Sequence, residues 1–297
     1  MKTLTHLLIA LSCVLTLPLA VAEDEKKPEV TVTALKGNLH MLKGRGGNVV
    51  ASVGPDGILM IDDDYTEYAG AHHEALRGLA GEQSVPTFVI NTHWHFDHTG
   101  GNNYWGEQGS VIVAHTNVRE RMSTRQEMKA FNRVIEPSPA AALPVVTYGD
   151  SLALHINGDD VEVQHYPTGH TDGDSVVYFA GENVVHMGDH YFKDRFPFVD
   201  LGSGGNVLGF AKNIASVLER VDDNTLIVPG HGDLADKQDL QRYLAMLETT
   251  IALVRERLEQ GMTEEQIVEQ GLGEEWVSWG SGFISEQAWI SFIANSL

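Results

Sequence analysis

The run Thr92-His93-Trp94-His95-Phe96-Asp97-His98-Thr99-Gly100-Gly101 constrains this chain more than any other, and it follows directly on the apolar stretch Thr87-Phe88-Val89-Ile90. Three histidines and one carboxylate fall within six residues. A buried strand that ends in such a cluster delivers several metal donors to one edge of a sheet. His93 and His95, two positions apart, point the same way if the backbone stays extended there. Asp97 and His98 lie past a bend, within reach of a second ion. Gly100-Gly101 lets the chain turn sharply before the next segment. A polar loop with chance histidines is the competing account, and the downstream sequence argues against it.

Three later segments have the same form, an apolar strand followed by one metal-competent side chain beside a glycine. Val161 to Tyr166 leads into Pro167-Thr168-Gly169-His170-Thr171, Asn183 to Met187 into Gly188-Asp189-His190, and Thr225 to Val228 into Pro229-Gly230-His231-Gly232. Four strand ends converging on one edge bring together His93, His95, Asp97, His98, His170, Asp189 and His231. Five imidazoles and two carboxylates suffice for two zinc ions with a position left open.

The series H-x-H-x-D-H, G-H-T, G-D and P-G-H-G, in this order and spacing, resembles the metallo-β-lactamase superfamily over about Asn38 to His231. The resemblance implies an α/β fold, a four-layer αβ/βα sandwich with the metals at the edge where its halves meet. It implies two Zn2+ per chain, the first on His93, His95 and His170, the second on Asp97, His98 and His231, with Asp189 bridging. Two adjacent cations lower the pKa of a shared water toward about 7, giving a hydroxide that attacks a carbonyl or phosphoryl centre. Asp97 is the candidate catalytic residue, orienting that water. No serine or cysteine nucleophile is called for.

Cys13 is the single cysteine, and Asp189 stands where some β-lactamase subclasses place a cysteine ligand. That draws the chain toward the superfamily's hydrolases of thioesters, lactones and phosphodiesters. A cyclic amide or ester such as a β-lactam is the leading substrate, with a thioester or a lactone as the alternative. Against a glyoxalase II-like thioesterase, no Lys or Arg follows Gly261, where that family carries basic residues for glutathione. From other classes, a mononuclear iron dioxygenase would use a subset of the same donors, and a non-catalytic metal-binding protein would use them without turnover.

Composition narrows the setting. Leu7 to Leu17 is an apolar core behind Lys2, and Ala20-Val21-Ala22 fits a small-x-small cleavage site, so residues 1–22 read as a secretory signal peptide. That apolar core is too short for a membrane span. The expected product is periplasmic or secreted, cleaved near Ala22, without cysteine or disulfides. Residues 23–297 are expected to form one domain with a C-terminal helical segment. Removing Lys2 takes the formal charge from −21 to −22. Such a surface repels phosphate backbones, which disfavours nucleic acid and leaves a small molecule as the expected partner. Oligomeric state is not legible.

Along the chain, strands are expected near residues 30–32, 39–42, 48–53 and 58–61, with a turn at Pro55-Asp56-Gly57. Asp62-Asp63-Asp64 then reads as a turn in which two carboxylates are solvated. The third, Asp62 or Asp63, approaches the histidines and fixes a ring tautomer. Glu67 to Leu79 is expected to be helical, with His72 and His73 on its surface. Val118 to Val134 reads as a polar helix whose Met122, Met128 and Phe131 serve either as lid contacts or as core. Hairpins are expected over 151–166 and 175–187, with His155, His165 and His186 structural. His190 is the one rival to Asp189. The loop from Phe192 to Gly205 is placed along the substrate wall, ahead of helices at 206–221 and 236–259. The tail aromatics Trp276, Trp279, Phe283, Trp289 and Phe292 read as packing or a dimer contact.

Overall fold

Period-two burial organises the sheets. In Leu39–Lys43 (β2), Val49–Gly54 (β3) and Gly57–Ile61 (β4), Leu39, Met41, Val50, Leu59 and Ile61 face one way. Leu42, Val49, Ala51, Ile58 and Met60 face the other. Both faces are apolar, so both must be covered. The computed structural model describes residues 27–128 and 131–297, and the leader read at 1–22 lies outside them.

Thr31–Ala34 (β1) pairs with β2 and opens an antiparallel meander through β4. Phe88–Asn91 (β5), Val111–His115 (β6) and Val146–Tyr148 (β9) continue the sheet in parallel, giving the order β1-β2-β3-β4-β5-β6-β9. Parallel neighbours need crossovers. Ala69–Ala80 (α1) joins β4 to β5, and Phe96–Thr99 (α2) with Asn102–Glu107 (α3) joins β5 to β6. Leu76 of α1 and Trp105 of α3 cover the outer face of this sheet.

The second sheet runs Ser151–Ile156 (β10), Asp159–His165 (β11), Ser175–Phe179 (β12), Val184–His186 (β13) and Leu226–Val228 (β14), in that order. Its Val161, Val163, Val177, Phe179, Val184 and Val228 meet the inner face of the first sheet. Its outer face is covered by Val207–Arg220 (α5), Lys237–Glu259 (α6) and Glu286–Ala294 (α8) through Phe210, Ile214, Tyr243, Leu247, Trp289 and Ile293. Helix, sheet, sheet and helix form the expected αβ/βα sandwich. Glu264–Gln270 (α7) starts on a capping box closed by Thr263 and Gln266. Among the described residues no helix is long and apolar enough to cross a membrane.

Strand direction sets where the chemistry lies. β11 is antiparallel to β12, β12 is antiparallel to β13, and β13 is parallel to β14. The C-terminal ends of β11, β13 and β14 therefore share one edge, and the loops holding His170, Asp189 and His231 leave from it.

Several expectations change. The helix expected over 118–134 is only Thr116–Met122 (α4), where Ser123 and Thr124 hydroxyls turn back to the Glu120 carbonyl. A two-stranded ribbon follows, Gln126–Met128 (β7) against Arg133–Ile135 (β8). Met122 and Met128 are core, while Phe131 at the ribbon tip is 37% exposed. His72 and His73 are buried rather than on the surface. His72 Nε2 lies 3.1 Å from Asp64, and His73 bridges the Tyr104 hydroxyl and Ser84. None of the three aspartates is solvated. Gly100-Gly101 makes no sharp turn but continues helically. Glycine is required there for close approach, since a Cβ on Gly100 would lie 2.5 Å from the Thr66 nitrogen.

Candidate metal centre

The register of β4 on β5 builds the first half of the site. Ile61 pairs with Ile90, so Asp62 follows beside Thr92 and accepts from its backbone N–H at 2.7 Å and its hydroxyl at 2.8 Å. The second oxygen of Asp62 also receives His98 Nδ1 at 2.7 Å. Of the two aspartates considered, it is Asp62 that orients a histidine. Asp63 instead receives the Gly101 N–H at 2.9 Å, and burial raises its pKa well above the usual range. Asp64 accepts from the Gly46 and Tyr65 amides, both at 2.7 Å, and so pins the 44–47 turn beside Asp97.

The other imidazoles are fixed the same way. His170 Nδ1 donates to the Phe198 carbonyl at 2.8 Å, and His95 Nε2 donates to Asp200 at 3.1 Å. A carbonyl and a carboxylate only accept, so these outer nitrogens carry the ring protons and the inner ones are lone pairs. Sequence reasoning missed Asp200, and an isolated aspartate in an irregular loop carries no signal that could have found it. Its backbone N–H also bonds the His170 carbonyl at 2.9 Å, tying the two histidines to one loop.

All seven sequence-derived residues come together, in two groups. His93, His95, His170 and Asp189 offer donor atoms within 4.8 Å of one another, and so do Asp97, His98 and His231. Asp189 lies between the groups. Its Oδ2 is 3.4 Å from His170 Nε2 and 3.8 Å from His93 Nε2, while its Oδ1 is 3.0 Å from His98 Nε2 and 3.3 Å from His231 Nε2. Gly230 makes room for it, because a Cβ there would sit 2.2 Å from Asp189 Oδ1. His190 stays out of the cluster, its Nε2 at 3.1 Å from Asn213. Residues 188–190 form a 3-10 turn, so the turn, not strand alternation, separates it from Asp189.

The donor chemistry fits a cation. His95 Nδ1 and His170 Nε2 face each other at 2.8 Å with both ring protons already committed outward. His98 Nε2 and His231 Nε2 approach to 3.3 Å. His93 Nε2 is buried without a hydrogen-bond partner. Converging lone pairs of this kind, such as the facing His95 and His170 nitrogens, are suited to a metal ion. The electrostatics agree. Burial would raise Asp189, but His231, His98, His93 and His170 outweigh it and hold it well below the carboxylate range. Asp97, likewise opposed by burial, is brought to about 2 chiefly by His98 and His231. Burial disfavours a proton on His231, yet Asp189 and Asp97 push it up to about 9. Two ionised carboxylates therefore gather positive charge at this edge.

The cluster opens into an apolar pocket. His95, Asp97, Asp189 and His231 form its floor, and Phe96, Phe192, Phe198, Phe131 and Phe283 form much of its wall, with Arg195 beside them. The loop from Phe192 to Gly205 thus contributes wall residues, as expected.

A sandwich whose inner edge gathers imidazoles and carboxylates defines a metal-dependent hydrolase class. The profile described as "Metallo-beta-lactamase superfamily" matches residues 37–231, and the chain belongs to that family. It is 23% identical over 241 residues to the 2,4-dinitroanisole O-demethylase subunit alpha of Nocardioides sp. (strain JS1661), covering 80% of this chain and 68% of that one. It is 26% identical over 151 residues to the metallo-beta-lactamase type 2 of Bacteroides fragilis, covering 50% and 54%. Among solved structures it resembles DIM-1 metallo-beta-lactamase, with a TM-score of 0.61, 17% identity and coverage of 75% and 98%. A mutant of the sec-alkyl sulfatase PisA1 matches with a TM-score of 0.68 at 15% identity, over 90% of this chain and 50% of that one. The fold and the His/Asp site together imply a metal cofactor.

Proposed function

We propose that this protein is a dinuclear zinc hydrolase that opens a cyclic amide or ester, such as a β-lactam. His93, His95 and His170 would hold one Zn2+, Asp97, His98 and His231 the other, with Asp189 serving both. The observation that carries this reading is the placement of Asp189, which turns one oxygen toward each donor group. Two bound zinc ions would supply Lewis acidity and a nucleophile at neutral pH.

The chain's own residues do the rest. Asp62, Asp200 and the Phe198 carbonyl hold three rings in the tautomer that directs a lone pair inward. Asp97 lines the pocket as an ionised carboxylate and orients the attacking water. The aromatic wall excludes bulk solvent from the scissile bond. The similarity to the metallo-beta-lactamase type 2 of Bacteroides fragilis favours a lactam. Asp189 in place of a cysteine ligand keeps a thioester or lactone as the second reading.

Metal analysis of the purified mature protein, with no metal added, combined with turnover of a chromogenic cephalosporin, tests the proposal. Two zinc per chain with efficient cleavage is the expected outcome. Two zinc without cleavage transfers the reading to lactones and thioesters, and a single iron overturns it. We also propose export to the periplasm or medium with cleavage near Ala22, read from the sequence of residues 1–22. Intact mass of the protein recovered from the periplasmic fraction and the medium tests it, and a retained leader refutes it.

A further inference from the structure

A series of rings runs outward from the metal centre. His95 lies 5.7 Å from Phe198, Phe198 lies 4.8 Å from Phe131, and Phe131 lies 5.3 Å from Phe283, measured between centroids. The last two belong to different parts of the chain. Phe131 is carried at the tip of the β7–β8 ribbon, and Phe283 lies in the tail, beyond the 37–231 family match.

That tail is held firmly against the site. The Phe196 N–H donates to the Trp279 carbonyl at 3.0 Å, and Phe196 stacks on Trp289 at 5.7 Å. Gly282 is packed so closely that a Cβ there would lie 3.2 Å from Arg195 Cβ. Ile284, also a pocket residue, is 4% exposed, whereas Phe283 beside it is 69% exposed. Phe131 is exposed as well. Two large aromatic side chains left in water at the mouth of one pocket are costly unless something covers them.

From this arrangement we infer that Phe131 and Phe283 form a clamp for a bulky apolar group of the substrate, an aryl group or one of similar size, held next to the scissile bond. The occupant follows from continuity, because the same pocket has Asp97, Asp189 and His231 at its floor. The two rings already touch at 5.3 Å between centroids, so the group lies against the pair and not between them, its attached carbonyl facing the donor cluster. The inference rests on the hydrolase reading, and it assigns the C-terminal segment to substrate selection, not to packing alone.

The test uses the full-length, zinc-loaded protein with Phe131→Ala and Phe283→Ala. Val277→Ala, exposed in the same tail and outside the pocket, serves as the control. Two quantities are measured: 1-naphthol binding by its fluorescence, and the ratio of kcat/KM for 1-naphthyl acetate over ethyl acetate. Each clamp variant is expected to weaken 1-naphthol binding and lower the ratio by roughly ten-fold, the scale of one lost aromatic contact. The control should change neither. Unchanged naphthol binding in both clamp variants, or an equal loss on both esters, overturns the inference. If neither ester is turned over, naphthol binding that the clamp variants lose still supports the clamp, and the failure then counts against the hydrolase reading alone.

Discussion

His93, His95 and His170 are exposed by no more than 3%, whereas Asp97 and His231 leave 18% and 21% of their side chains open to the pocket. In the first group two of the three rings are locked from behind by Asp200 and the Phe198 carbonyl. In the second only His98 is locked from behind, by Asp62, while His231 is braced by stacking on Phe192 at 5.3 Å. The first group is thus preorganised by the two halves of the sandwich, and the second keeps freedom where a substrate enters. Rigidity on one side and access on the other is what a hydrolytic centre with one open position requires.

The largest expected effect comes from attacking the rigid group. His95→Ala should lose one metal equivalent and nearly all hydrolysis, read by elemental analysis and turnover on the same sample. Activity retained in metal-depleted protein would sink the assignment.

Next come the residues behind the rings. Asp200→Asn should weaken metal binding at the first group, and Asp62→Asn at the second, each by roughly 10–100-fold. Competition with a chromogenic chelator reads both, and in the parent protein the second group should release its metal first. Release in the opposite order would break the comparison.

A smaller effect is expected in stability. His72→Ala removes the ring 3.1 Å from buried Asp64, the residue that pins the 44–47 turn against the second group. The cost should be about 1–3 kcal/mol in urea unfolding, the usual scale for a buried polar group stripped of its partner. An unchanged midpoint would show the turn to be held by its amides alone.

The smallest effect separates the scaffold's acid sensitivity from that of the metal centre. His115 and His165 stack at 3.7 Å, and burial together with His165 holds His115 down to about 4. A histidine depressed in the folded state is neutral there while the unfolded chain binds a proton. Its contribution is therefore complete above about pH 6.5 and is lost as the pH falls toward 4. His115→Gln should recover about 2–4 °C of the Tm lost between pH 7 and pH 5. An identical loss in both proteins would place the acid sensitivity elsewhere.

Much of this was legible beforehand because the donors sit at strand ends, where apolar runs and glycines mark both the strand and its exit. The seven clustered residues, the sandwich and both hairpins of the second sheet could be read in this way. Asp62 could be narrowed to one of two positions, since a carboxylate following a buried strand has few places to go. The 118–134 segment misled because helical composition extends past Met122, and only Ser123 and Thr124 bonding back to the Glu120 carbonyl ends the helix. His72 and His73 misled because a polar residue on a helix reads as exposed until its buried partner is known.

The sequence by itself determined which side chains could bind a metal and that strands would carry them, since those properties belong to local composition and period. Only the tertiary structure decided how they are used. The ring tautomers depend on Asp62, Asp200 and the Phe198 carbonyl, which lie 36, 105 and 28 residues from the histidines they hold. Asp189 faces both groups only because β13 and β14 run parallel to one edge. The aromatic wall joins a ribbon tip to a distant tail. Contacts of this range are fixed by packing two sheets face to face, and no local pattern encodes them.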